Sequence, residues 1–321
     1  MPRDFAVDTQ HQLIQVHEGS GAGLPFSRGI MATSILATGL ETSVAYRIAA
    51  DIHQRLLDQG VRGLPAQDLA DIAVERIDAM AGSAAAARYR AWRKARRTGR
   101  PIVLCLSGAA GVGKSTFATR LALRLGIHRV VPTDAIREVL RTVIPDTVLP
   151  ELHRSTYESR ADENGVDPGD VRTADGEAAD SFLRQARAVS AATAAVAHRL
   201  VTERRSVILE GVHLLPGDVA ARFETTSSEA IVVERLLTLD DVEHHRAQLL
   251  RRARTEPGRD GQRHLDHLRR IRNQQAELRR LAARAGVAEH DITHPEDLTQ
   301  RIVDDIVELA EPGMKLSSVM A

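Results

Sequence analysis

Residues 101–126, PIVLCLSGAAGVGKSTFATRLALRLG, constrain this chain more than any other stretch. Ile102–Leu106 is a short apolar, β-leaning run of the kind that becomes a buried parallel strand. Gly108-Ala109-Ala110-Gly111-Val112-Gly113-Lys114-Ser115 then matches G-x-x-x-x-G-K-[ST] in full, and Thr116 follows it into a helical pattern stopped by Gly126. Glycines at 108, 111 and 113 let backbone N–H groups come close to a polyphosphate, where side chains would hold it off. The helix that follows presents its unpaired N–H groups and positive dipole end to the same anion. Lys114 is expected to reach the β/γ-phosphates and Ser115 to ligate Mg²⁺. Only three lysines stand among 43 basic residues, so a lysine in this slot is not compositional drift. Arg is a poor substitute where a compact point charge is wanted. The strand, loop and helix predict a nucleoside triphosphate site, with ATP and Mg²⁺ as cofactors.

Bulk properties narrow the setting. At 321 residues and 43% hydrophobic, the chain has room for two cored units. A formal net charge of zero gives no global reason to expect nucleic acid or an anionic membrane surface as partner. The single cysteine, Cys105, lies in the apolar strand and reads as a core residue, which points to a reducing compartment. No run approaches the roughly 18 apolar residues of a membrane span, and the first residues lack a signal-peptide core. A cytoplasmic protein is expected.

Before the phosphate loop, residues 11–85 read as a small α-rich unit. A weak strand covers 11–17, and 18–23 is a turn. Helices are predicted over about 27–39, 41–59 and 65–80, with Ile48, Ile52 and Leu56 on the inner face of the second. The strings Leu24-Pro-Phe-Ser-Arg28, Ile30-Met-Ala-Thr-Ser-Ile35 and Ala87-Arg-Tyr-Arg-Ala-Trp-Arg93 resemble the ATP-cone, a nucleotide-sensing module. Two roles stay open for this unit: a packing or self-association domain giving a homo-oligomer, or a regulatory nucleotide site. The basic run 88–100 reads as a solvated face or linker, with Tyr89 and Trp92 spaced to dock it on a neighbour. The expected domains are 1–87, the linker 88–100, an α/β phosphate-loop domain 101–312 and a tail 313–321.

Beyond the loop, strands are expected over about 128–133, 206–209, 230–234 and 287–292, alternating with helices. That alternation predicts a five-stranded parallel sheet covered on both faces. Residues 158–176 are acidic and turn-rich and read as a mobile loop, with a long helix over 177–204.

Three constellations sharpen the function. Thr133-Asp134-Ala-Ile-Arg137 falls at the carboxyl end of the second strand, where ligands sit in open α/β sheets. Asp134 reads as a helix N-cap that could also hold metal-bound water or accept the acceptor's proton, and Arg137 as a grip on an anionic acceptor. Glu210, in Val207-Ile-Leu-Glu-Gly-Val-His213, ends an apolar strand as a candidate base or water-mediated Mg²⁺ ligand. His213 is either a satisfied turn histidine or an acceptor-phosphate contact. Residues 250–263, rich in arginine and containing Arg251 and Arg254, suggest a lid that excludes water and brings cations to the transferring phosphoryl group.

Together SGAAGVGKST, VVPTDAIREVLR, LPELHRSTYES, SVILEGVHLLPG and the RRAR…RHLDHLRRIR segment resemble the archaeal-type 2-phosphoglycerate kinase family. The resemblance implies a P-loop kinase with an ATP-cone-like N-terminal domain. The implied reaction moves a phosphoryl group from ATP to the 3-hydroxyl of 2-phosphoglycerate. Arg154 and Tyr157 are then expected at the acceptor, a small anionic hydroxyl compound. Phosphorylation of another acceptor, such as a nucleoside or an inositol phosphate, is the alternative; a non-catalytic ATP sensor is the contrasting class.

Overall fold

The computed structural model describes residues 13–18, 22–158, 171–223, 229–255, 261–293 and 295–310. The chain divides into two units, Met1–Arg93 and Lys94–Ala321.

In the first unit, β1 (Gln15–His17) pairs antiparallel with β2 (Leu24–Pro25) and parallel with β3 (Gly63–Pro65). Helices α1 (Arg28–Leu36), α2 (Thr42–Asp58) and α3 (Ala66–Ala81) follow the sequence pattern closely. Ser27 caps α1 by accepting from Ile30 N–H, which supplies one of the orphan donors at a helix start. Ile35, Ile48, Ile52, Leu56 and Ile77 close the core. Residues 88–97 of the basic stretch are helical, in α4 (Ser83–Arg97). Its Tyr89 is 1% exposed within this same core, the hydroxyl 3.3 Å from Ser34 Oγ, so the ring belongs to its own unit.

In the second unit the central strand is β4 (Ile102–Ser107), every side chain buried. It is flanked in parallel register by β6 (Val207–Gly211) and β7 (Ile231–Thr238). Outer strands β5 (Val130–Pro132) and β8 (Glu289–Asp291) complete the five-stranded parallel sheet, in the order β5-β6-β4-β7-β8. Cys105 faces Val207, Leu209 and Phe223 in one apolar layer, and burial raises its thiol pKa well above the ordinary value. The connecting helices are α5 (Lys114–Leu125), α6 (Thr133–Val143), α7 (Val171–Thr202), α8 (Asp218–Ala221), α9 (Val242–Thr255), α10 (Gly261–Asp266), α11 (Leu268–Ala285) and α12 (Pro295–Ala310).

Two expectations change here. Pro132, extended at φ −75° and ψ 135°, caps α6, which places Asp134 inside the first turn rather than at the cap. The long helix starts at Val171, so 171–176 are helical although the segment is acidic and turn-rich. The preceding residues 159–170 of the expected loop, and the tail 313–321, lie outside the described residues. Among the described residues, no helix is long and apolar enough to cross a membrane.

Candidate active site

After Ser107 the chain has to leave a fully buried strand and enter α5 within six residues. Three glycines make this possible, each for its own reason. A Cβ on Gly108 would overlap the Leu237 carbonyl oxygen of β7, and one on Gly111 (φ 81°) would overlap Leu249 of α9. Gly113 sits at φ 96° as the N-cap of α5, a left-handed conformation that side chains resist. Ala109 and Val112 are buried beneath the loop. Lys114 and Ser115 therefore occupy the first turn of α5, where the helix N–H groups lack partners within the helix. Lys114 is 8% exposed and its Nζ donates to the Ala109 carbonyl at 2.7 Å.

Glu210, opposite Leu106 in the ladder, comes up beside the loop, and Ser115 Oγ donates to its Oε1 at 2.9 Å. A hydroxyl and a carboxylate side by side are hard oxygen donors, the type Mg²⁺ takes alongside substrate phosphates.

A cleft of about 600 Å³ opens from this pair. Lys114, Ser115, Asp134, Arg137, Tyr157, Glu210 and His213 all line it, together with Ala110 of the loop. Asp134 keeps a 60% exposed side chain. Arg137 is mostly buried; its guanidinium donates to the Arg154 carbonyl and lies 3.5 Å from Glu138. Burial lowers the Arg137 pKa, and Arg141 adds to the effect. Arg154 contributes here through its carbonyl, and its side chain does not line the cleft. Thr116 and Arg251 are exposed and do not line it either. The side chain of Arg254 lies outside the described residues, as do residues 256–260 of the expected lid.

His213 is wholly buried and its proton can be placed from its neighbours. Gln185 Nε2 donates to the carbonyls of Glu151 and, at 3.1 Å, Arg154. Gln185 Oε1 therefore faces His213 Nε2, 2.9 Å away, and accepts its proton. Nδ1 is left to accept from Thr133 Oγ1 at 3.0 Å, with Asp134 Oδ1 3.6 Å off. Burial pushes the His213 pKa down to about 4; Asp134 pulls it up, while Arg137 and Lys114 push it further down. The imidazole is thus neutral near pH 7, with both nitrogens engaged. It is a satisfied buried histidine, not a cation for an anionic ligand.

The far wall is the segment 155–158. Tyr157 stacks on His267 (5.0 Å) and meets His264 edge-on (5.4 Å). Arg270 donates to the Tyr157 carbonyl at 3.3 Å, Gln274 donates to the Thr156 carbonyl, and Arg263 pairs with Glu158. Helices α10 and α11 thereby hold this wall in place, and His264 itself lines the cleft. Behind it Glu151 pairs with Arg184 at 2.7 Å; burial works to raise its pKa, but the Arg184 hydrogen bond helps hold it lower.

Gln185, Thr133, His245, His264 and His267 were not picked out from the sequence. Thr133 opens the quoted TDAIR string, and His264 and His267 lie in the quoted RHLDH string, so all three were within a signal but were given no role of their own. Gln185 sits in the middle of α7 and His245 in the first turn of α9, and nothing in their spacing separates a buried polar residue from a surface one.

The chain is 32% identical to the 2-phosphoglycerate kinase of Pyrococcus furiosus over 304 residues, 94% of this chain and 96% of that one. It is 34% identical to the 2-phosphoglycerate kinase of Methanocaldococcus jannaschii over 270 residues, 83% and 82% of the two chains. It belongs to the 2-phosphoglycerate kinase family. As a member of that family the chain is an ATP-using phosphotransferase with an alcohol group as acceptor. No family model matches this 2-phosphoglycerate kinase relative. Among solved structures, a gluconokinase from Sinorhizobium meliloti 1021 resembles it at 15% identity over 65% of this chain and 94% of that one. The TM-score of 0.35 is too low for any conclusion to rest on that likeness.

Proposed function

We propose that this chain phosphorylates 2-phosphoglycerate on its 3-hydroxyl, using ATP and Mg²⁺, to give 2,3-bisphosphoglycerate. The supporting observation is that one cleft runs from Lys114 and Ser115 to Asp134, Arg137 and Tyr157. Phosphates held by the 108–115 backbone and Lys114 would face an acceptor gripped at its anionic end by Arg137, which suits bidentate pairing with carboxylate or phosphate.

The Ser115–Glu210 pair supports a division of labour between the two carboxylates. Ser115 and Glu210 are the residues that would hold Mg²⁺, whose chemistry is to neutralise charge on the transferring phosphoryl oxygens. Asp134, exposed to the cleft, is left as the group that takes the proton from the attacking hydroxyl. Tyr157 and the carbonyl-braced Arg137 orient the acceptor, and arginines of 250–263, among them Arg251 and Arg254, would add positive charge to the closing side.

The test is ADP release from purified full-length protein offered 2-phosphoglycerate, 3-phosphoglycerate, glycerate, a nucleoside and an inositol phosphate. Selective turnover of 2-phosphoglycerate, with the product identified by phosphorus NMR, is expected. Faster turnover of another hydroxyl compound would reassign the acceptor, and nucleotide binding without turnover would reassign the class.

A further inference from the structure

His245, on α9, is 0% exposed and has its Nε2 2.7 Å from the Ala110 carbonyl oxygen, in the middle of the phosphate loop. A carbonyl only accepts, so Nε2 carries the proton. One helical turn further on, Leu249 covers Gly111 so closely that no Cβ fits at 111, and His245 Nε2 would stand 3.2 Å from that Cβ. The helix leading into the arginine-rich segment thus grips the loop at two successive peptides. The Nδ1 atom of the same ring is buried and has no hydrogen-bond partner in the described structure. The ring's one directed interaction is the one with the loop.

We propose that His245 is a positioning residue for nucleotide: it fixes the peptide joining Ala110 to Gly111, and through it aims the Gly111 N–H. The reasoning is geometric. In a trans peptide the C=O and N–H point in opposite directions across one rigid plane. Holding the Ala110 oxygen toward α9 therefore turns the Gly111 N–H away from α9. Gly111 has no Cβ to restrict rotation about its own φ, so the peptide would otherwise be free to flip. An N–H that must be aimed at an anion on arrival costs ordering free energy, and one already aimed does not. The same contact makes nucleotide affinity depend on the seating of α9.

The test compares His245→Leu, which keeps the bulk and removes the donor, with His245→Gln, whose amide can still donate to Ala110. ADP affinity is measured by titration calorimetry on the full chain, and KM is then measured separately for ATP and for the acceptor. His245→Leu is expected to weaken ADP binding about tenfold and to raise KM for ATP, leaving KM for the acceptor within about twofold. His245→Gln is expected to stay near the parent protein. Unchanged ADP affinity in His245→Leu would overturn the proposal. So would equal losses in both variants, or parallel rises in both KM values, since each would mean that packing rather than the hydrogen bond is at work. Should His245→Leu not fold, His245→Asn, polar but too short to reach Ala110, takes its place in the comparison. ADP binding requires no acceptor, so the outcome is independent of which hydroxyl compound is phosphorylated.

Discussion

Ser115 Oγ and Glu210 Oε1 stand 2.9 Å apart, although 95 residues separate them in the chain. The contact exists because β4 and β6 run parallel and adjacent, so the loop after one meets the last side chains of the other. Removing the Glu210 charge while keeping its shape should weaken metal binding. In Glu210→Gln the half-saturating Mg²⁺ concentration is expected to rise by about tenfold or more, read from initial rates across a Mg²⁺ titration. Unaltered Mg²⁺ dependence would detach Glu210 from the metal.

Asp134→Asn should separate chemistry from binding. A lost general base costs about 10²–10⁴ in turnover, while ADP affinity by calorimetry should stay near that of the parent, since Asp134 touches no phosphate-loop atom in the hydrogen bonds described. A kcat within a factor of three of the parent would place the base elsewhere.

Lys114→Ala should lose turnover by orders of magnitude with circular dichroism unchanged. Among the described residues Lys114 is the only lysine that lines the cleft, and a compact ammonium at that point of the loop is what the β/γ-phosphates require. Near-normal rates would remove the loop from catalysis.

Stability should fall as the solution is acidified. His213 titrates at about 4 in the folded chain against an ordinary 6.5, so between those values the unfolded chain binds the extra proton. Its contribution is complete above about pH 6.5 and is lost as the pH falls toward 4, at most about 3 kcal/mol. His290, lowered to about 4 by burial with Arg235 and Arg301 adding to it, acts in the same window. Urea unfolding at several pH values should show the slope, and a His213→Asn variant should flatten it; an identical slope would exclude His213 as a source.

Cys105 should be silent to thiol reagents in the native protein. It is 2% exposed and burial raises its pKa, so the thiolate needed for attack is scarce and shielded. One equivalent should react in denaturant and none before; rapid native labelling would contradict the packing.

The five-strand parallel sheet and the phosphate loop could be read in advance because they rest on local signals: apolar runs, glycine spacing and a stop at Gly126. Lys114, Ser115, Asp134, Arg137 and Glu210 stood out for a related reason, since each lies at the carboxyl end of a strand or in the loop or first helical turns that follow it. What stayed hidden was pairing across long separations. Nothing local says that Gln185 fixes the tautomer of His213, or that His245 reaches the loop 135 residues earlier. Charge and turn-forming residues misled over 171–176, which continue into the long helix despite weak propensity. Asp134 read as a cap because its side chain favours that position, yet Pro132 ends the strand one step sooner.

The strand order β5-β6-β4-β7-β8 splits the catalytic labour along the chain. Asp134, Arg137 and Tyr157 all belong to the single crossover between β5 and β6, whereas the phosphate loop and its gripping helix α9 follow β4 and β7. On the proposed function, triphosphate handling and acceptor choice would therefore be written on separate segments. Evolution, or a protein engineer, could exchange the 133–206 excursion to redirect the enzyme to a new alcohol while the engine that cleaves the triphosphate is left untouched.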